Sequence, residues 1–433
     1  MQKGLLNIKS ISPELSLFLA FSLLIALGTI LLQLPIVHHS AGLGVLDAVF
    51  TSTSAACITG LTTVPTSGFN LSGQIIILIL IQLGGIGIMT LTSSLILFFR
   101  GNIDLRKRVN AAQMSSSNSF REGRGVLRTV IIYTFSMELL GFILLFIGFR
   151  RQGLPLSDSL YQGLFHAISA FCNAGFSPLP DSLTGSTALI KTTIMLLIIA
   201  GGLGYYVIFD LGEFQRKKNH LALYTKIVLL LTPCLILLGA GLLVFFEGQQ
   251  LHLIDAFFMS ITARTAGFHT VNLAGLHPTS LLILVGLMII GAAPGSTGGG
   301  VKITTFFVIM LTVYQVIRGR RSIVIAGRKL TMATILSALA LTVFYLLLLA
   351  IGCLSLLYFE QQSFTVSLFE ITSALGTVGL SLGHTGEWGV VGKTVLIAAR
   401  FIGRIGPAAL IIILLKGQER SHVDYPEENI ILG

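Results

Sequence analysis

Four glycines stand in matching surroundings along the chain and are the residues best placed to do chemistry together. When Gly60, Gly175, Gly267 and Gly379 are aligned, the ten residues before them read FTSTSAACIT, FHAISAFCNA, FFMSITARTA and FEITSALGTV. Each of these stretches begins with a phenylalanine, and a small hydroxyl residue stands two positions after three of the four glycines. The copies recur at roughly a hundred residues, which predicts four repeats of one structural unit arranged around an axis.

The chemistry available to such loops is the binding of a cation by main-chain oxygen atoms. A glycine adopts positive φ without penalty and can turn successive carbonyl groups towards one axis. Four sets of carbonyls can replace the water shell of a cation, as they do in potassium filters. No acidic side chain occupies the loops, so we expect a monovalent ion rather than a divalent one. The predicted filter residues are Ile58, Thr59, Gly60, Asn173, Ala174, Gly175, Thr265, Ala266, Gly267, Thr377, Val378 and Gly379.

Composition places these loops in a membrane. Hydrophobic residues make up 53% of the chain and charged residues 11%, whereas soluble domains carry about 25% charged residues. The net charge of +10 lies in loops between apolar runs, which indicates membrane topology rather than nucleic-acid binding. The four cysteines show no CxxC spacing, so neither a zinc site nor a disulfide framework is indicated.

Apolar runs long enough to span a bilayer predict an all-α polytopic membrane protein with eight spans. Each unit comprises a span, a short re-entrant helix, a glycine loop and a second span. The helices are expected to begin at or just after Asp47, Asp158, Asp255 and Ser363, with Asp47 as an N-cap. The predicted spans are 15–34, 75–99, 126–149, 188–211, 227–246, 281–317, 335–358 and 395–415, and the predicted repeats are 1–100, 101–216, 217–325 and 326–433.

The basic residues predict the orientation. Most of the 28 Lys and Arg residues fall in segments 1–12, 100–128, 213–226, 318–329 and 416 onward. The positive-inside rule then places both termini in the cytoplasm and the glycine loops towards the outside.

The sixth predicted span is too long to be one straight helix. Its 37 residues, 281–317, would extend about 55 Å, against a hydrocarbon core of about 30 Å. A proline and five glycines interrupt it, so the helix should break there. We expect this segment to lie under the filter and obstruct the pore, the alternative being a static kink. The expected gate residues are Gly291, Pro294, Gly295, Ser296, Thr297, Gly298, Gly299 and Gly300, joined by Lys302 and Arg404.

Charged residues inside spans are functional candidates because their burial is costly. Arg404 is expected to face the cavity below the filter and to donate to carbonyls of the 291–300 loop, the alternative being an internal ion pair.

Arg264 is expected behind the filter, paired with a carboxylate such as Glu370, and Glu138 is expected to have a buried partner. The histidines His166 and His269 are read as packing residues rather than ligands.

Glycine clusters begin at Gly84, Gly201, Gly298 and Gly403, in the second span of each repeat. They could belong to the conduction pathway, or they could only allow close helix packing, as small residues do in membranes.

The motifs CITGL, CNAGF, RTAGF and GTVGL, each after a short helix, resemble the filter loops of the Trk/Ktr/HKT superfamily of potassium transporters. APGSTGGGVK and GRIGP resemble the membrane subunit of bacterial Ktr-type systems most closely. The resemblance implies four M1–P–M2 repeats around a pseudo-fourfold pore in the cell membrane, with one filter glycine each. It also implies K⁺ uptake, a homodimer, and a cytosolic RCK-type nucleotide-binding partner. Dependence on Na⁺ is left open, and one glycine per loop predicts a shorter, less selective filter than that of a TVGYG channel.

Two other functions can be compared with this pattern. A secondary transporter of a small solute would also use broken helices near the membrane midplane. An intramembrane enzyme is not favoured, because no Ser–His or paired-Asp arrangement with suitable spacing occurs. No nucleotide-binding fingerprint is present, so we expect no organic cofactor in this chain and no nucleic-acid partner.

Overall fold

The computed structural model describes residues 13–37, 42–101, 117–217, 220–320 and 322–406, and most of these are helical. The long helices of the first half are α1 (Pro13–Leu32), α3 (Leu71–Gly101), α4 (Ser117–Arg151), α6 (Ala188–Leu203) and α7 (Tyr205–Lys217). Those of the second half are α8 (Leu223–Glu247), α10 (Pro278–Ile289), α11 (Ile303–Ile317), α12 (Met332–Glu360) and α14 (Val390–Ile405). A small antiparallel hairpin, β1 (Val324–Ile325) and β2 (Arg328–Lys329), joins α11 to α12.

Within the described residues, four helices are long and apolar enough to cross a membrane, and a fifth counts if a bent pair is joined. The four are α1, α4, α8 and α12, and large apolar side chains such as Leu23, Phe245 and Ile351 are exposed on them. The fold is therefore that of a multi-pass helical membrane protein. The count of eight spans stays a prediction, because α10 and α11 are shorter apolar helices and the expected last span extends beyond the described residues.

The predicted continuous span 188–211 is wrong. Helix α6 ends at Leu203 and α7 begins at Tyr205, and the two meet at an angle of 87°. Gly204 between them has φ +81°, a conformation that glycine adopts without strain. The expected break in 281–317 does occur, since α10 ends at Ile289 and α11 begins at Ile303.

Four short helices lie inside the molecule: α2 (Val45–Ala56), α5 (Leu156–Phe171), α9 (Leu253–Thr262) and α13 (Phe364–Leu375). Each ends just before one of the aligned glycines. Asp47 is not an N-cap, contrary to expectation: Gly44 occupies that position and Asp47 lies in the first turn, as Asp158 and Asp255 do in their helices. Carboxylates in a first turn still favour the helix by interacting with its positive end.

Contacts between the units close the arrangement on itself. Helix α3 packs against α5, α6 against α9, α10 against α13, and α14 against α2. Two of these contacts are ion pairs, from Lys191 of α6 to Asp255 (2.6 Å) and from Lys393 of α14 to Asp47 (2.7 Å). A third is a hydrogen bond of 2.5 Å that Tyr161 of α5 donates to Gln74 of α3. The last helix of the described chain is thus tied to the first short helix.

Removing one partner of the more buried ion pair should destabilise the fold. The side chains of Lys191 and Asp255 are 11% and 6% exposed, so Lys191→Met leaves a buried carboxylate unpaired. We expect a loss of about 3 kcal/mol in the free energy of unfolding. The midpoint of thermal unfolding in detergent, followed by the fluorescence of the single tryptophan, Trp388, measures it.

The matched control is Lys393→Met. The side chain of its partner Asp47 is 25% exposed, so water solvates the orphaned carboxylate and the loss should be clearly smaller. Equal losses in the two variants would contradict the argument from burial.

Candidate functional site

The backbone of the four glycine loops has the same unusual conformation in each copy. Every aligned glycine has a positive φ, from 70° at Gly175 to 96° at Gly379. The residue two positions earlier also has a positive φ, although none of the four is glycine: Ile58 (55°), Asn173 (60°), Thr265 (80°) and Thr377 (50°). Positive φ is uncommon for residues with a side chain and is costly unless surrounding contacts enforce it. Its recurrence at one position in all four loops, with three different residue types, indicates a shared structural requirement.

The four loops lie edge to edge in a closed ring. A Cβ atom built on Gly60 would lie 2.6 Å from the carbonyl oxygen of Ala174. One on Gly175 would lie 2.5 Å from Ala266 O, and one on Gly267 would lie 2.5 Å from Val378 O. The ring closes where a Cβ on Gly379 would meet Thr59 O. Each glycine therefore faces the carbonyl that precedes the glycine of the next copy, and no larger residue fits.

Hydroxyl groups on the short helices hold these loops from behind. Gly60 N donates to Ser54 Oγ (3.1 Å), and Gly379 N donates to Ser373 Oγ (3.0 Å). In the other two copies the hydroxyl acts as donor, from Ser169 Oγ to Phe176 O (2.8 Å) and from Thr262 Oγ1 to Phe268 O (2.7 Å). All four hydroxyl residues are fully buried. Rigid helices thus position the loop backbone, and their C-terminal ends bring partial negative charge towards it.

One face of the ring opens into a single cavity. The four glycines line it together with polar side chains that follow them, among them Thr63, Ser177, His269 and Ser381. None of the lining residues is acidic or permanently basic. An ion in this cavity would therefore meet the partial charges of backbone and hydroxyl dipoles rather than charged side chains.

The segment between α10 and α11 lies against the opposite face of the ring. A Cβ on Gly298 would collide with Thr265 Oγ1, and one on Gly299 with Thr377 Oγ1, so the chain passes directly beside two of the glycine loops. Residues 292 and 293 and 295–300 are buried, as a packed segment would be. Thr297 N donates to Gly201 O (3.3 Å), and Ala293 N donates to Gly202 O (3.1 Å). The non-helical backbone is therefore held by the glycine cluster of α6.

Two cations bind the carbonyl groups of this segment. Arg404 donates to Thr297 O through Nη1 and to Gly84 O through Nη2 (3.2 Å), and Lys302 Nζ donates to Gly298 O (2.5 Å). Within the described residues no carboxylate pairs with Arg404, so the alternative of an internal ion pair has no support there. The expected hydrogen bond from Arg404 to a loop carbonyl is present.

Three of the glycine clusters contribute close packing. A Cβ on Gly84, Gly201 or Gly403 would collide with the carbonyl oxygen near the end of a short helix, at Ala56, Phe171 and Leu375 respectively. These glycines let the second helix of a unit approach the base of its filter loop, which agrees with the packing interpretation for those positions.

The expected pairing of Arg264 with Glu370 is wrong. Glu370 is not paired with Arg264: its carboxylate accepts hydrogen bonds from Ser381 Oγ (2.5 Å), Leu382 N (3.2 Å) and Thr385 Oγ1 (2.9 Å). The guanidinium of Arg264 instead borders a small space beside Ala292 and Ala293, and its Nε has no hydrogen-bond partner among the described residues. Spacing alone could not reveal that the residues after Gly379 fold back onto their own helix.

The structure supplies the partner of one expected residue, adds one that the sequence analysis missed, and confirms the packing role of a third. Glu138 accepts a hydrogen bond from Gln82 Nε2 (3.1 Å), which supplies the partner that was expected but unnamed. Arg400 was missed: it is fully buried, donates to Phe50 O (3.2 Å), and stacks over the Phe50 ring at 3.6 Å. A basic residue in the middle of the apolar run 395–415 was the available signal.

Both ring nitrogens of His166 have hydrogen-bond partners, Gln162 O and Ser177 Oγ, as expected of a packing residue.

The sequence profile of one protein family, described as TrkH, cation transport protein, matches residues 18–422. The chain belongs to this family. It is a family of transporters and not of enzymes, which confirms the expectation that this chain is no enzyme.

Similar proteins cover nearly the whole chain. Ktr system potassium uptake protein B of Bacillus subtilis is 35% identical, over 98% of this chain and 97% of that protein. Potassium/sodium uptake protein NtpJ of Enterococcus hirae is 33% identical, over 98% of each. The crystal structure of the potassium transporter TrkH from Vibrio parahaemolyticus matches with a TM-score of 0.74, covering 96% of this chain and 87% of that one at 19% identity. This last likeness shows a common fold.

A side chain at one of the four aligned glycines should strongly reduce cation transport while leaving the helices folded. Gly267→Ser places Cβ against Val378 O at a φ of +83°, so the backbone of both loops must shift. Because a misplaced carbonyl ring loses its ion-binding geometry, we expect cation uptake to fall at least about tenfold, equivalent to about 1.4 kcal/mol. Uptake of ⁸⁶Rb⁺ into proteoliposomes measures the effect.

The control is Gly275→Ser in the same unit, where nothing lies within 4 Å of the new Cβ. Normal uptake by Gly267→Ser would show that the ring tolerates displacement, and an equal loss in both variants would show that the effect is not specific to the ring.

Proposed function

We propose that this chain is the ion-conducting membrane subunit of a bacterial potassium uptake system. The observation that carries the proposal is the closed ring of four glycine loops, each glycine facing the carbonyl that precedes the next one. Backbone that is neither helix nor barrel survives at membrane depth only where protein buries it or where it lines water. A ring of such backbone with a cavity on one face is the arrangement expected of an ion filter.

The proposed filter consists of the three residues that end at each of Gly60, Gly175, Gly267 and Gly379. K⁺ sheds part of its water shell in the outer cavity and binds carbonyl oxygens that the short helices hold in place. The ion finds favourable charge there, since four helix C-termini lead into the ring. In this proposal the fold consists of four M1–P–M2 repeats around one axis, with repeat boundaries near 100, 216 and 325.

The segment 291–300 is the proposed gate. It lies against the face of the ring away from the cavity, beside Thr265 and Thr377, and would obstruct an ion leaving the filter. Arg404 and Lys302 hold it through carbonyl groups and add positive charge to the same region. Both the obstruction by the segment and the effect of the positive charges would have to be reduced before ions could pass rapidly.

Assembly and orientation complete the proposal. The chain would act as a homodimer in the cell membrane with both termini in the cytoplasm, regulated by a cytosolic RCK-type nucleotide-binding subunit. The name of one relative includes sodium as well as potassium, so Na⁺ is the ion to test as a co-substrate or activator.

The function is tested by measuring ⁸⁶Rb⁺ uptake into proteoliposomes that contain the full chain. We expect saturable uptake that excess K⁺ competes away and that needs no organic solute. Accumulation of a labelled amino acid or sugar without alkali-ion flux would instead favour a secondary transporter of a small solute. Absence of any saturable Rb⁺ uptake, with and without a cytosolic regulatory subunit, would contradict the proposal.

Releasing the gate should raise transport. Deletion of residues 292–300 removes the obstruction. Arg404→Ala removes a positive charge, the hydrogen bond that holds the segment at Thr297 O, and a second one to Gly84 O in α3. We expect a several-fold rise in initial ⁸⁶Rb⁺ uptake for each, in protein that still elutes as a single species.

Arg400→Ala is the matched control for the arginine variant. Arg400 lies one helical turn before Arg404 and is equally buried, but it donates to Leu396 O and Phe50 O and not to the gate. Unchanged or lower uptake in both the deletion and Arg404→Ala would mean that the segment is a static kink.

A further inference from the structure

The residue nine positions before the filter glycine has different partners in the four copies. It is Thr51 in the first, His166 in the second, Phe258 in the third and Glu370 in the fourth. In the second and fourth copies this residue binds the serine that stands two positions after the glycine. The ring runs in chain order, so these two copies lie opposite each other.

The two opposite contacts share one geometry. His166 Nδ1 donates to Gln162 O (2.8 Å), which leaves Nε2 to accept from Ser177 Oγ (2.9 Å). Glu370 Oε1 likewise accepts from Ser381 Oγ (2.5 Å). Each serine oxygen in turn accepts from the backbone N–H two residues later, Leu179 N for Ser177 and Gly383 N for Ser381.

The contact in the fourth copy is the more extensive one. Glu370 is fully buried, and its second oxygen accepts from Thr385 Oγ1 (2.9 Å), while Leu382 N also donates to the carboxylate (3.2 Å). These three donors come from the short segment 381–385, part of which lines the outer cavity. No basic side chain forms an ion pair with Glu370 among the described residues. A buried carboxylate with this many donors from one segment is costly to disturb.

The first and third copies lack this hydrogen bond between the short helix and the residue two positions after the glycine. The hydroxyl of Thr51 has no hydrogen-bond partner within the described residues, and Phe258 has no polar group to offer. In two opposite copies the residue nine positions before the glycine therefore binds the serine that follows the glycine, and in the other two copies it makes no such bond.

Given the potassium-conducting function proposed above, we infer that Glu370 is a positioning residue for ion selectivity. It fixes segment 381–385 and, through it, the carbonyls that surround Gly379 at the outer end of the filter. Without this anchor the fourth loop is free to move inward. A looser ring can close on the smaller Na⁺ as well as on K⁺, so discrimination falls while passage continues.

The experiment measures ⁸⁶Rb⁺ uptake by the full chain in proteoliposomes over a range of Na⁺ concentrations. The readout is the ratio of the inhibition constant of Na⁺ to the KM of Rb⁺. For Glu370→Ala we expect this ratio to fall about tenfold, as the loss of a buried hydrogen-bonded group allows. We expect the maximal rate to change less than the ratio. Glu370→Gln keeps an acceptor for Ser381 and Leu382 and should retain most of the ratio.

Ser367→Ala is the matched control. Ser367 lies on the same helix and is fully buried, but its hydroxyl has no hydrogen-bond partner among the described residues, so the ratio should not change. If Glu370→Ala does not fold, Ser381→Ala removes only the bonded hydroxyl. That variant should lower the ratio by about threefold.

The outcomes separate the two proposals. A wild-type chain without saturable Rb⁺ uptake overturns the proposed function, and this inference with it. A wild-type chain that prefers Rb⁺ to Na⁺, alongside Glu370→Ala and Ser381→Ala variants with the wild-type ratio, overturns the inference alone. A ratio that falls equally in Ser367→Ala would also overturn it, since the effect would then be a general one of the helix.

Discussion

The packing of each of the four aligned glycines against the carbonyl of the next loop is the contact on which the rest of the structure depends. Four stretches of non-helical chain lie in the centre of a protein whose outer helices expose leucine, isoleucine and phenylalanine. Such backbone is stable only if its polar groups are satisfied or face a wet pathway. The ring meets this requirement because the absence of Cβ atoms lets neighbouring loops approach closely.

The surrounding helices serve that ring in three ways. The short helices supply buried hydroxyls that bind the loop backbone, as Ser54 and Ser373 do. In three units the glycines of the second helix pack against the end of the short helix, which keeps the loops of the ring close together. Ion pairs such as Lys191–Asp255 then join one unit to the next. Four residues held at positive φ without being glycine are consistent with a backbone over-determined by these contacts.

The third unit departs from the pattern, and the proposed gate belongs to it. In three copies the amide before the glycine donates to the carbonyl five residues earlier, for example from Thr59 N to Ser54 O. In the third copy Ala266 N donates to Thr262 O, four residues earlier, so the end of the short helix differs. The same unit contains Arg264, whose Nε lacks a hydrogen-bond partner among the described residues, and the interrupted helix. Departures from local regularity of this kind are expected where a protein has a function to perform.

The sequence by itself determined the class of protein, the repeated loops and the break in the helix at 290–302. These follow from local physics, because apolar length, glycine spacing and the missing N–H of Pro294 act without reference to distant residues. It could not determine the 87° bend at Gly204, since a glycine in an apolar run is compatible with a straight helix as well. It also mispaired Glu370 with Arg264 and overlooked Arg400. Only the tertiary structure decided those partners, because a buried charge binds whichever donor or acceptor the fold brings within about 3 Å. For Glu370 those groups belong to a neighbouring turn. For Arg400 the group is a carbonyl of the first short helix, 350 residues away in sequence.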